Sequence, residues 1–233
     1  MKIRLVPPWA PGEAHPMWEY LTGSLCVLCR QSTSGAYARR QLCRWCLADL
    51  PWLDGPDLPC APDSPIERQI APLAYEGSAR RWVLEAKREG GLVAARVLGT
   101  LLADAVEEAY PAGSVRPTHL VPVPLSLRRL LKRGHNQAIL IGAPVARRLG
   151  IPLHRLAARR RRHTPPQPGL GRSARAANVV GAFESRRRWH GALVAIVDDV
   201  VTTGATADAL ARALLDAGAG AVHLWCATRA MTA

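Results

Sequence analysis

The chain carries, at residues 194–206, the sequence VAIVDDVVTTGAT, which joins an apolar run to two acids and a threonine-rich turn. The run at 194–197 is typical of a parallel strand that is covered on both faces. Asp198 and Asp199 then stand at the carboxyl end of the strand, where open α/β sheets bind ligands. This stretch therefore predicts an α/β fold with a ligand site at that edge of the sheet.

The turn after the strand leads into a predicted helix. Its apolar residues recur at helical spacing, and Gly218 follows as a C-cap, so the helix is expected to begin near Gly204. A helix amino terminus offers amide donors and the positive end of its dipole to a phosphate. The two aspartates can accept hydrogen bonds from ribose hydroxyls and can help to hold Mg²⁺. A solvated turn with an ordinary helix N-cap is the alternative interpretation.

The order of residues in this stretch resembles the 5-phosphoribosyl 1-pyrophosphate (PRPP) motif of type I phosphoribosyltransferases. Neither a Walker A loop nor a dinucleotide-binding glycine pattern precedes a helix here. The residues predicted to bind PRPP are Asp198, Asp199, Thr202, Thr203, Gly204, Ala205 and Thr206.

Two Cys-x-x-Cys pairs lie near the amino terminus: Cys26, Cys29, Cys43 and Cys46. Four thiolates at this spacing predict one tetrahedral, structural zinc site in a module too small to have much core of its own. Two disulfides, or reduced cysteines packed as small apolar residues, are the alternatives. Cys226 is expected in the core of a terminal strand, whereas Cys60 has no predicted role.

The 233 residues allow one sizeable core with a small appendage, and the net charge of +13 favours anionic ligands or polyanionic partners. We find no secretion signal and no apolar run of membrane-spanning length, so we expect a cytoplasmic protein without membrane insertion. We place a domain boundary at residue 65, with the zinc module at 1–65 and the α/β domain at 66–233.

The positive charge is clustered, which raises the prospect of single-stranded DNA as a partner. The clusters are Arg80, Arg81, Lys87 and Arg88, then Arg128, Arg129, Lys132 and Arg133, then residues 159–162, and finally residues 186–188. Basic runs are usually solvated faces. The chain has one Phe and four Tyr, and several of its seven Trp are expected in the core or the zinc module, so few aromatic side chains are left for bases to stack on. The segment at 157–178 is long enough to be a lid that covers a pyrophosphate group.

Taken together, the motifs resemble the ComF family from about Cys26 to the carboxyl terminus. The resemblance rests on the cysteine pairs, Lys87, the segment 121–124 (VPVP), the segment 133–138 (RGHNQA), Thr164 with Gln167, Arg175 with Asn178, and the PRPP motif. His135 departs from the pattern, in which an aromatic residue is expected.

The resemblance implies a type I phosphoribosyltransferase fold with a mainly parallel sheet and flanking helices. It implies that Asp198 and Asp199 are the catalytic pair at the ribose and Mg²⁺, and that the turn at 202–206 holds the 5-phosphate. The residues implied on the pyrophosphate and lid side are Arg133, Asn136, Gln137, Gln167 and Arg175.

The ComF resemblance also implies a link to natural transformation and DNA uptake. Two functions stay open: an enzyme that transfers phosphoribose from PRPP, and a non-catalytic protein on the same fold. The second would bind single-stranded DNA or DNA-uptake and recombination proteins.

Overall fold

The computed structural model describes residues 25–33, 35–161 and 181–230. It divides the chain into two compact units, residues 1–51 and residues 52–233. The boundary at residue 65 stays a prediction. No helix within the described ranges combines the length and the apolar character that crossing a membrane requires.

The smaller unit is built from a turn and two short helices. Leu25 and Ser32 form an isolated antiparallel bridge across the turn. Helices α1 (Gly35–Arg40) and α2 (Arg44–Ala48) follow. Apart from cysteines, the buried apolar side chains in the described part of this unit are Val27, Leu28, Leu42 and Leu50, so we expect its folding to depend on what its cysteines bind.

The larger unit is built around a mainly parallel sheet. Its strands are β1 (Asp57–Leu58), β2 (Arg68–Ile70), β3 (Leu73–Ala74), β4 (His119–Pro122), β7 (Leu193–Val201) and β8 (Ala221–Arg229). The order across the sheet is β1-β2-β8-β7-β4, and β3 also pairs with β8. Every pairing is parallel except that of β1 with β2. Strands β5 (Ala158–Arg160) and β6 (Phe183–Ser185) form a separate antiparallel pair.

Helices flank this sheet: α3 (Gly77–Glu85), α4 (Leu92–Ala109), α5 (Leu127–Arg133), α6 (Gln137–Leu149) and α7 (Ala205–Asp216). The predicted α/β class, with a mainly parallel sheet and a small amino-terminal cysteine module, is confirmed.

The sheet is most fully covered at its centre, where β7 and β8 pair. Residues 194–197 of β7 have no exposed surface, as the continuous apolar run predicted. Leu210 and Leu214 of α7 are equally buried and belong to the same core. The strand that carries the acidic pair is therefore held rigidly on both faces.

Pro144 lies inside helix α6 without ending it. A proline in a helix loses one backbone hydrogen bond and crowds the preceding turn. Pro144 is buried where α6 approaches α4 closely. A Cβ added to Gly99 of α4 would lie 2.3 Å from the Ile141 carbonyl oxygen and 3.0 Å from Pro144 Cγ. This close packing supports the helix across the proline.

Pro72 separates β2 from β3, because proline cannot donate to a strand ladder. The connection at 54–65 contributes β1 to the edge of the sheet.

Candidate functional site

The acidic pair lies within β7, whereas the sequence predicted that the strand would stop at Val197. The ladder between β7 and β8 continues as far as Val201 and Arg229. Asp198 and Asp199 are therefore fixed by the sheet, and the turn begins only at Thr202.

Asp199 is almost completely buried, with 3% of the residue exposed. Its Oδ2 lies 2.5 Å from Lys87 Nζ, and this ion pair is partly open to solvent on the lysine side. The Asp199 carbonyl oxygen accepts a hydrogen bond from Thr228 Oγ1 at 2.9 Å. Both the backbone and the carboxylate of Asp199 are thus held in place.

Asp198 is half-buried, and its Oδ1 accepts a hydrogen bond from the Asp199 amide at 2.9 Å. Burial and the neighbouring Asp199 carboxylate raise the pKa of Asp198 well above its usual value, and Lys87 opposes this rise. A cation bound at the pair would relieve the same repulsion.

Sequence reasoning did not include Lys87 among the site residues, because it was assigned to the basic face of a helix. That helix, α3, ends at Glu85, and the lysine turns inward from the segment that follows. The signal that could have identified it was its presence in the set of motifs that resembles the ComF family.

The turn between β7 and α7 has the geometry that the sequence predicted. Gly204 is the N-cap residue with φ of +81°, in the left-handed region that favours glycine. No side chain caps the helix, and Thr202 is exposed while residues 203–206 are half-buried. Backbone amides and threonine hydroxyls at this turn are thus within reach of a ligand.

One acid already lies in the first turn of α7. Asp208 Oδ1 accepts a hydrogen bond from Ser64 Oγ at 2.7 Å, and the helix dipole favours a negative charge there. A phosphate bound at this turn would lie at the same positive end of the helix as the Asp208 carboxylate. Its main contacts would then be the amide and hydroxyl donors of residues 202–206.

Two arginines of α5 and one of β5 interact electrostatically with one another. Burial lowers the pKa of Arg129 in α5, and the nearby Arg133 lowers it further. Burial also lowers the pKa of Arg160 in β5, as does Arg129, whereas Asp198 raises it. These couplings indicate that Arg129 lies near Arg133 and Arg160, and that Arg160 lies near Asp198. Sequence reasoning named Arg133 but missed Arg129 and Arg160, which look like members of ordinary basic runs.

Helix α5 has an unusual distribution of side chains. Arg129 and Arg133, four residues apart, are half-buried, whereas Leu127 and Leu131 are 70% and 76% exposed. The helix thus places arginines towards the protein and leucines towards solvent, which reverses the common amphipathic pattern.

Asn136 and Gln137 are buried at the start of α6 and are engaged with the protein. Asn136 caps the helix, because its Oδ1 accepts a hydrogen bond from the Ala138 amide at 3.0 Å. Gln137 Oε1 accepts a hydrogen bond from Arg133 Nη1 at 3.1 Å. The geometry gives both residues a part in positioning, and their contact with pyrophosphate stays a prediction. Gln167 and Arg175 lie outside the described residues.

The four cysteines of the smaller unit form a compact cluster. Their Sγ atoms all lie within 4.8 Å of one another, and Cys29 Sγ is 3.6 Å from Cys43 Sγ. Four sulfurs bound tetrahedrally to one zinc ion would be about 3.8 Å apart. All six cysteines in the described part of the chain are free, which argues against the two-disulfide alternative. The cluster can hold a metal such as zinc.

The thiols of the cluster influence one another strongly. Burial raises the pKa of Cys29 to about 11 and that of Cys46 still higher. Burial would also raise the pKa of Cys43, but the Cys46 amide and the adjacent thiols hold it below its usual value. Cys226 is fully buried in β8, as predicted, and Cys60 is half-buried.

A basic groove lies beside the β5–β6 pair. Its volume is about 800 Å³, and its lining includes Arg159, Arg186, Arg187 and Arg188. Arg187 is also held by its neighbours, since its Nη1 lies 2.9 Å from His154 Nδ1 and its guanidinium stacks on Trp189.

No protein-family model matches the chain. Over 139 residues it is 36% identical to "DNA utilization protein YhgH" of Escherichia coli (strain K12), which covers 60% of this chain and 61% of that protein. It is 35% identical, also over 139 residues, to "Competence protein F" of Haemophilus influenzae, covering 58% of this chain and 61% of that protein. The chain thus spans 61% of the length of these curated relatives.

One solved structure, titled as the allosteric regulatory enzyme of purine biosynthesis, is 20% identical with a TM-score of 0.40, covering 62% of this chain and 30% of that one. The resemblance predicted from the motifs is confirmed: the chain is a homologue of competence protein F and of the DNA utilization protein YhgH.

Proposed function

We propose that this chain binds PRPP together with Mg²⁺ and takes part in DNA uptake during natural transformation. The observation that carries the proposal is the continuous path from the acidic pair in β7 to an uncapped helix start at Gly204. Carboxylates, amide donors and hydroxyls follow one another there in the order that a phosphorylated ribose requires.

The residues fit a magnesium ion by the chemistry of their donors. Mg²⁺ prefers oxygen ligands and usually binds through one or two carboxylates together with phosphate oxygens. The Asp199 carboxylate is buried, and its Oδ2 contacts the cationic Lys87. Asp198 and Asp199 are the residues we propose for this ion, which would screen the charge of a departing pyrophosphate.

The chain's own residues would position the rest of the ligand. We assign the 5-phosphate to the amides and hydroxyls of residues 202–206, and the pyrophosphate to the side where Arg129, Arg133 and Arg160 lie. Catalysis at such a site depends on orientation and on charge placed before the reaction begins. Transfer of phosphoribose to an acceptor is the reaction class this arrangement serves.

Calorimetry with PRPP and Mg²⁺ tests this proposal. The unmodified chain is expected to release or absorb heat, and Asp198→Asn with Asp199→Asn is expected to weaken binding at least about tenfold, which corresponds to about 1.4 kcal/mol. Glu108→Gln, which alters an exposed acid at the end of α4, is the matched control and should bind like the parent. An absence of heat in the parent would remove the proposal.

We further propose that the cysteine cluster holds one structural zinc ion through Cys26, Cys29, Cys43 and Cys46. The sulfur spacing and the closed set of four thiolates support this role, because a catalytic zinc needs an open position. We also propose a cytoplasmic location, because four thiolates that hold zinc must stay reduced.

Binding of single-stranded DNA, without catalysis, is the second candidate function. The groove lined by Arg159 and residues 186–188 favours it, as do the names of the relatives. Its test is the salt dependence of binding to an oligonucleotide, since each phosphate contact contributes a slope of about −0.7 for single strands.

In this test Arg186→Ala with Arg188→Ala is expected to reduce the magnitude of the slope by about 1.4. Arg147→Gln on the exposed face of α6 removes one charge elsewhere and is the control. Affinity that does not change with salt would refute an electrostatic groove.

A further inference from the structure

Lys87 and Asp199 form an ion pair at the place where a cation is proposed to bind. Lys87 Nζ lies 2.5 Å from Asp199 Oδ2, and the side chains are 23% and 5% exposed, respectively. Among the described residues, the Lys87 ammonium group is the ion-pair partner that compensates the charge of the Asp199 carboxylate. A buried carboxylate without such a partner would be costly.

The backbone around Lys87 is tied to the arginine-lined side of the site. The carbonyl oxygen of Ala86 accepts a hydrogen bond from His135 Nε2 at 2.8 Å, which requires the proton on that nitrogen. A Cβ added to Gly91 would lie 2.2 Å from the Glu85 carbonyl oxygen, so the turn after α3 is tightly folded. Lys87 is therefore presented by a fixed segment, and the freedom that remains is in its side chain.

A divalent ion and an ammonium group cannot both lie against the same carboxylate oxygen at contact distance. If Mg²⁺ entered alone, the displaced ammonium would lose its anionic partner, and three positive charges would face two carboxylates. A ligand that carries pyrophosphate supplies the missing negative charge and offers the ammonium new oxygen acceptors. The side chain of Lys87 could then move from Asp199 to the ligand.

We infer that Lys87 is a positioning residue that makes divalent-cation binding at the acidic pair conditional on an anionic, pyrophosphate-bearing ligand. The inference rests on the proposed PRPP site. It specifies that the Lys87–Asp199 ion pair is replaced by a cation at Asp199 and by contact of Lys87 with the ligand. The coupling is reciprocal: the anion raises the affinity for the cation by the same factor as the cation raises that for the anion.

Mn²⁺ serves as the probe, because its binding can be followed by electron paramagnetic resonance without any turnover. In the zinc-loaded parent chain, PRPP is expected to raise the affinity for Mn²⁺ at least about tenfold. In Lys87→Met, Mn²⁺ alone should bind more tightly than it does in the parent. The same variant should show a smaller effect of PRPP on Mn²⁺ affinity than the parent, because the cation no longer displaces an ammonium group, although phosphate oxygens still ligate it.

Lys132→Met is the matched control, since it removes an exposed lysine from the outer face of α5. It should retain the coupling of the parent. Equal coupling in Lys87→Met and in the parent would overturn the inference. If Lys87→Met does not fold, the measurement on the parent decides alone: Mn²⁺ binding that is the same with and without PRPP refutes the inference.

The outcomes separate this inference from the proposed function. A parent that binds no PRPP with any cation contradicts the proposed function, and the inference falls with it. A parent that binds PRPP, but whose Mn²⁺ affinity does not depend on it, contradicts the inference alone.

Discussion

Asn136 joins the end of β4 to the start of α6, because its Nδ2 donates a hydrogen bond to the Val123 carbonyl oxygen at 3.0 Å. The same side chain caps the helix through its Oδ1. Asn136 therefore fixes the loop that carries His135 and, through it, the Ala86 segment next to Lys87. Two parts of the site that are distant in the chain depend on one amide group.

Asn136→Ala is expected to lower the free energy of unfolding by about 1–3 kcal/mol, since it removes a helix cap and leaves a buried carbonyl without its donor. Urea unfolding measures this loss. Asn136→Asp keeps an acceptor for the cap but removes the donor to Val123, so it should lose only part of the stability. A loss as large as that of the alanine variant would assign the whole effect to the Val123 contact.

Stability is expected to fall as the pH is lowered from about 6.5 to about 4, because burial lowers the pKa of His223 from 6.5 to about 4. The unfolded chain binds a proton in this range, whereas the folded chain keeps the imidazole neutral, in contact with Tyr110 OH and near Arg68 and Asp57. Proton binding to the unfolded chain in this pH range therefore lowers the free energy of unfolding as the pH falls.

Urea unfolding at pH 7 and pH 5 checks this prediction. His223→Gln should lose less stability than the parent between the two pH values. His119 and His154, whose pKa values burial also lowers, are expected to preserve a smaller acid sensitivity. His190→Gln, at an exposed position, is the control and should behave as the parent does. An unchanged pH dependence in His223→Gln would exclude His223 as its source.

Cys43→Ser is expected to reduce the zinc content from one ion per chain to none, because a structural site requires all four thiolates. Unit 1–51 should then be cut by protease at a concentration that leaves the parent intact. Elemental analysis gives the zinc content. Cys60→Ser, outside the cluster, should retain the metal, and the prediction fails if the Cys43 variant retains it too.

Gly99→Ala should destabilise the larger unit, although alanine favours a helix over glycine by about 1 kcal/mol. The added Cβ would lie 2.3 Å from the Ile141 carbonyl oxygen, so α4 and α6 would have to move apart. Overpacking of this kind costs about 1–3 kcal/mol. Thermal unfolding decides the sign, and a stabilised variant would show that the two helices separate easily.

The centre of the fold was readable from the sequence because local patterns decide it. The apolar run before Asp198 identified β7, and helical spacing around Leu210 and Leu214 identified α7. The thiol cluster was equally predictable, since two Cys-x-x-Cys pairs bring four ligands together with little help from the rest of the chain.

The features that sequence reasoning missed depend on contacts between distant segments. The inward turn of Lys87 exists because a buried Asp199, more than 100 residues later, offers it a partner. The length of β7 depends on how far β8 continues beside it. Pro144 is tolerated because a glycine in another helix lets α6 approach closely. None of these is a property of a short window of sequence.

The reversed side-chain distribution of α5 has a consequence for protein engineering. Leu127 and Leu131 are exposed, so polar replacements there should improve solubility without disturbing the interior. Arg129 and Arg133, which composition alone would mark as dispensable surface charge, are the positions to keep. A surface redesign that replaces arginines first would therefore remove the half-buried side chains of this helix and leave its exposed leucines in place.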